Sequence, residues 1–112
     1  MTLLEKKKSM KEGGRWVDAP RDSLRSYIEN ALATHRLASY MVEAGGLTSV
    51  TKISGSTRFT SQSDDLTFRP AQGGIVTINL HQSKGSKVIE GSNVYGVELY
   101  MNSGNVVNFS FE

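Results

Sequence analysis

Apolar positions along this chain keep two different periods, and the change falls near Gly45-Gly46. Before the glycine pair, Leu24, Ile28, Ala31, His35, Ala38 and Val42 fall on one line of a helix, with Tyr27 and Leu32 beside it. That spacing marks a helix with one buried face. After the pair, Ile78-Leu80, Tyr95-Val97-Leu99-Met101 and Val107-Phe109-Phe111 occupy every second position, as in strands with one covered side. One amphipathic helix and one antiparallel sheet are natural covers for each other. The pattern therefore predicts an α+β domain, with one long amphipathic helix packed on a curved antiparallel sheet of five to seven strands.

The helix is expected over about residues 18–44. Asp18 suits the N-cap, where a carboxylate accepts from free N–H groups. Pro20 fits the first turn, and Asp22 adds negative charge at the positive end of the helix dipole. Gly45 suits the C-terminal glycine position. Such a helix would run about 38 Å, long for a small domain, which points to a bend or break near Thr34-His35. Its second half is apolar on more than one side, because Leu37, Tyr40 and Met41 leave the main stripe. A helix of that kind touches more than one surface. Leu37, Tyr40 and Met41 are thus the expected protein interface.

Seven strands are expected: 49–54, 57–61, 66–69, 74–80, 87–90, 94–101 and 106–111, a meander over about 49–111. Asn102-Ser103-Gly104-Asn105 reads as a hairpin loop by composition. Residues 1–17 read as a flexible basic arm broken by Gly13-Gly14, and 18–112 as a single domain. This layout is shared with cystatin-like inhibitors and with Sm-like RNA-binding proteins. The chain lacks the Gln-x-Val-x-Gly hairpin of the first and the glycine signatures of the second, so the layout implies neither family.

With 112 residues and no cysteine, the chain has one modest core and no disulfide, thiolate metal site or cysteine nucleophile. Two leucines precede Lys6-Lys7-Lys8 with no apolar stretch behind them, unlike a signal peptide. The expected location is cytoplasmic, or the host cytoplasm for a viral chain, with no membrane partner. Net charge is only +2, but residues 1–56 hold nine Lys/Arg against six Asp/Glu, and the remainder four against five. The positive excess lies on the arm and helix.

Two basic groups are candidates for nucleic-acid contact: Lys6, Lys7, Lys8, Lys11 and Arg15 on the arm, and Lys52, Arg58 and Arg69 on an outward sheet face. Clustered cations neutralise phosphates and release counterions. Solvated polar positions are the plainer reading of both. His35 sits within the apolar stripe and fits a structural histidine better than an acid or base. His81 lies near a strand end, within reach of Glu90 or Glu98. Two histidines so far apart make no metal motif, and Asp64-Asp65 is turn chemistry. No catalytic residue, cofactor, metal or small-molecule substrate is expected. The chain reads as a small non-enzymatic binding module, first a protein-binding regulator or inhibitor that self-associates through its helix. Its partner would then be another protein chain or a second copy. The alternative is a nucleic-acid-binding protein using the basic arm and sheet face.

Overall fold

A computed structural model describes residues 14–91 and 93–112. The first strand, β1 (Arg15–Asp18), is followed by a 3-10 turn at Arg21–Ser23 and by the helix α1 (Leu24–Thr34). Pro20, extended at φ −68° and ψ 149°, opens that turn and accepts hydrogen bonds from the Ser23 amide and hydroxyl. Asp18 is not the helix cap. It ends β1, and its carboxylate lies 4.0 Å from the Lys87 ammonium.

The helix stops ten residues short of Ala44, at Thr34. His35 donates the last helical N–H bond, to Ala31, and then turns extended at φ −132° and ψ 175°. The chain continues as a strand, β2 (Leu37–Ala44), joined to β3 (Leu47–Lys52) by Gly45-Gly46. Both glycines have positive φ, 57° and 81°. That is a two-residue hairpin turn of type I′, which demands positive φ at both central residues. The glycine pair is thus a strand-to-strand turn and no helix cap. A bulge between Leu37 and Ser39 interrupts the alternation of β2, so Leu37 and Met41 are both buried while Tyr40 and Val42 pack against the core. The disturbed alternation left a spacing of four that imitated a helix.

The remaining strands are β4 (Thr57–Gln62), β5 (Asp65–Pro70), β6 (Val76–Asn79), β7 (Ser83–Glu90), β8 (Tyr95–Met101) and β9 (Val106–Phe111). A 3-10 turn at Leu80–Gln82 precedes β7. Among the described residues there are nine strands, more than expected, and they form two antiparallel sheets. The larger has the order β1-β7-β8-β9-β2-β3 and the smaller β4-β5-β6. Val17, Val88, Val97, Phe109 and Tyr40 lie in one cross-strand row. All but half-buried Val17 and Tyr40 are buried, and both of these pack on the core.

Leu24, Ile28 and Ala31 bring one line of α1 into this core. The small sheet adds Leu66 and Phe68, with the Phe68 ring 4.7 Å from Phe109 and 6.4 Å from Phe111. Helix and small sheet together cover one face of the large sheet, the layered arrangement that buries both. No helix among the described residues is long and apolar enough to cross a membrane.

Candidate functional site

The alternate positions of the large sheet form a second row: Lys87, Glu98, Asn108 and Met41 in register. Glu98 and Asn108 are each only 1% exposed. Asn108 Nδ2 donates to Glu98 Oε2 at 3.2 Å, and the Tyr100 hydroxyl donates to the same carboxylate. Burial first, then the Glu98 hydrogen bond and charge, push the Tyr100 phenol well above its ordinary value. Within this network the polar groups satisfy one another, as buried polar groups must. Asn108 begins an Asn-Phe-Ser sequon, but its side chain is enclosed and bonded. Beside the network, Trp16 and Ile89 close over Gly96. A methyl group there would lie 2.7 Å from Ile89 Cδ1 and 3.0 Å from Trp16 Cη2.

Leu37, Tyr40 and Met41 are on β2, not on a helix. Leu37 and Met41 are buried within the chain, and the Tyr40 ring lies 6.3 Å from Phe109. The apolar side chains expected on a helix are divided between the two faces of a strand, with Leu37 and Tyr40 on the core side and Met41 in the Glu98-Asn108 row. The outer positions of α1 are polar or small: Arg25, Ser26, Glu29, Asn30 and Ala33 are exposed, with Arg25 and Glu29 paired at 3.3 Å.

Among the described residues, the large exposed apolar side chains are instead Leu47, Val50 and Ile75. Leu47 is 77% and Val50 53% exposed, and both belong to β3 at the edge of the large sheet. In an antiparallel ladder, alternate residues face the partner strand. The Ile53 amide donates to the Ala38 carbonyl in the same register, so Leu47, Ser49 and Thr51 face β2. Thr48, Val50 and Lys52 therefore turn their N–H and C=O groups outward. The opposite edge differs. β1 has four residues, with Arg15 and Asp18 at its ends, and Arg15 is bonded to Glu90 at 2.8 Å. Short, charged edges discourage strand addition, and β3 has neither defence beyond Lys52.

The basic residues fall on several elements. Lys6, Lys7, Lys8 and Lys11 lie outside the described residues. Arg15 pairs with Glu90 across the β1–β7 ladder. Lys52 is on β3 of the large sheet, whereas Arg58 and Arg69 are on the small one, because residues 53–56 pass between sheets instead of turning within one. Arg58 and Arg69 are direct cross-strand partners, exposed, on the side opposite Phe59 and Phe68. With Ser56 and Ala71 they line a cleft of about 300 Å³.

The histidines have separate settings. His35 Nδ1 is 2.7 Å from Thr34 Oγ1 and Nε2 is 2.6 Å from the Asn93 carbonyl, while its ring meets Tyr95 edge-on at 5.0 Å. It ties the helix end to the β7–β8 connection. His81 Nε2 lies 2.5 Å from Asp64 Oδ2, and Nδ1 faces Arg21 Nη1 at 3.5 Å. A proton on Nε2 suits both contacts, because Arg21 can only donate. The carboxylate partner is Asp64 from the β4–β5 turn, not Glu90 or Glu98. The Leu80 amide, donating to the Asp64 carbonyl at 2.8 Å, holds the two turns together. Both ring nitrogens of His81 meet charged side chains, and among the described residues no hydroxyl is bonded to the ring. Among the same residues, no cluster of three or more His, Asp or Glu could hold a metal.

No family model matches this chain, and no curated protein does. Among solved structures, the fold is similar to that of ChuX, with a TM-score of 0.58 at 9% identity. The match covers 85% of this chain and 61% of the ChuX chain, so this chain spans about three-fifths of that protein's length. Likeness at that identity shows a shared fold and carries no function across.

Proposed function

We propose that this chain is a non-enzymatic protein-binding module that adds a partner's strand along β3, and that a second copy of itself is such a partner. The observation that carries this reading is the β3 edge, which among the described residues pairs with no strand on its outer side and carries the exposed Leu47 and Val50. Strand addition joins outward N–H and C=O groups to those of the incoming strand, while exposed side chains at alternate positions supply the fit. Two β3 strands can pair antiparallel about Val50. Val50 then faces its own copy, Ser49 faces Thr51, and Thr48 faces Lys52. Each residue meets one on the same face, and the one charge of the strand meets no like charge. The contact is self-complementary, as a two-fold interface must be. Occupying a strand edge, without chemistry, is also a way to regulate or inhibit a partner protein.

Sedimentation equilibrium over a wide concentration range tests this. The wild-type chain should rise in mass toward a dimer. Val50→Lys, which sets two ammonium groups against each other, should stay monomeric with an unchanged circular dichroism spectrum. A wild type that remains monomeric throughout, or a Val50→Lys variant that dimerises equally well, would show that β3 is not the contact.

A further inference from the structure

A second surface stands on different residues and is independent of β3. Six arginines fall within the described residues, and four have partners there. Arg15 pairs with Glu90, Arg25 with Glu29, Arg21 with the Ser83 carbonyl and His81, and Arg36 with the Ile53 carbonyl. Arg58 and Arg69 have none among the described residues, yet they are in direct cross-strand register. Opposed side chains of an antiparallel pair have Cβ atoms about 5 Å apart, and like charges there destabilise the sheet. The chain thus places two unbalanced guanidinium groups side by side on one face. The floor between them is small, because the ladder continues past Thr57 and Pro70 to Ser56 and Ala71, with the Ala71 amide bonded to the Ser56 carbonyl at 2.9 Å. The result is a cleft of about 300 Å³ lined by Arg58, Arg69, Ser56 and Ala71.

We infer that the Arg58–Arg69 cleft binds a phosphate group. Guanidinium groups match the geometry of phosphate oxygens and bond them in pairs. A doubly charged oxyanion between the two arginines would remove their mutual repulsion. Among the described residues, the aromatic side chains of these two strands, Phe59 and Phe68, point to the other side. The cleft therefore reads the phosphate and not a base. The phosphate could belong to a nucleic-acid backbone or to a small phosphate ester, and the two sources are separable by experiment.

The probes are inorganic phosphate, at ionic strength held constant with chloride, and a short single-stranded oligothymidylate. Binding is followed by amide chemical shifts in the full chain. Phosphate should shift resonances of residues 56–58 and 69–71, and Arg58→Gln/Arg69→Gln should weaken binding at least about tenfold. Without phosphate, that double variant should be no less stable than the wild type. If it fails to fold, Arg58→Lys serves, keeping the charge but losing the fork, and it too should bind more weakly. If the oligonucleotide binds much more tightly than phosphate, a nucleic-acid backbone is the source. The slope of log affinity against log salt should then fall by about 1.4 in the double variant, two phosphate contacts at the single-strand value. Equal affinity per phosphate identifies a small ester. Absent shifts, or equal binding by wild type and double variant, would overturn the inference.

Discussion

The Tyr27 hydroxyl lies between two strands, accepting from the Gly96 N–H at 3.1 Å and donating to the Ile89 carbonyl at 2.8 Å. It joins α1 to β7 and β8 at a single atom. Burial, outweighing the two backbone hydrogen bonds, raises its pKa from 10.0 to about 12. Tyr100 is displaced in the same direction by burial and Glu98. Above pH 10 the unfolded chain loses these phenolic protons while the folded chain retains them. The folded state then binds more protons, so stability falls as pH rises. The Tyr27 contribution is complete below 10 and is lost through the interval up to about 12. Urea midpoints measured across that interval should decline, and Tyr27→Phe should flatten the decline. At neutral pH the same variant should cost about 1 kcal/mol, because both backbone groups lose their partner. A midpoint that holds steady over the interval would contradict this account.

At the scale of elements, the Gly45-Gly46 hairpin decides where β3 begins. Its positive φ angles, 57° and 81°, suit glycine or asparagine and little else. Gly46→Ala should lower stability by about 1–2 kcal/mol, the cost of an L-residue in the left-handed region. Gly45→Asn should be neutral or slightly stabilising. Urea unfolding at unchanged m-value checks both. The elements also show what was legible in the sequence. Strict alternation located the middle of β8 and β9, and turn composition located the ends of β4 and β5. β2 was hidden because Ala, Leu, Met and Glu are helix formers, and the bulge after Leu37 disturbs its period. β1 is too short for a period, and only its pairing with β7 reveals it. Alternation did place Arg58 and Arg69 on one side. It could not show that Lys52 belongs to another sheet, or that Asp64 meets His81, since both depend on how the small sheet docks.

For the whole molecule, the joint between the two sheets is Phe68. It is fully buried on the central strand of the small sheet, with Phe59 at 5.1 Å on one side and Phe109 at 4.7 Å on the other. The small sheet shares no ladder with the large one among the described residues, so side-chain packing holds it in place. A few strands without such cover are marginal on their own. Phe68→Ala should therefore cost about 3–5 kcal/mol, through lost transfer energy and the cavity left behind. The loss should be uneven. In native-state hydrogen exchange, amides of β4, β5 and β6 should lose more protection than those of β8 and β9, as expected for a separately opening unit. Equal loss in both sheets would show that they unfold as one. Arg58 and Arg69 stand on the same two strands, on the side away from Phe68. A phosphate bound only by the closed sheet should therefore restore part of that protection in Phe68→Ala, by mass action. Restoration confined to β4 and β5 and their neighbours would tie the cleft to the docking of the small sheet.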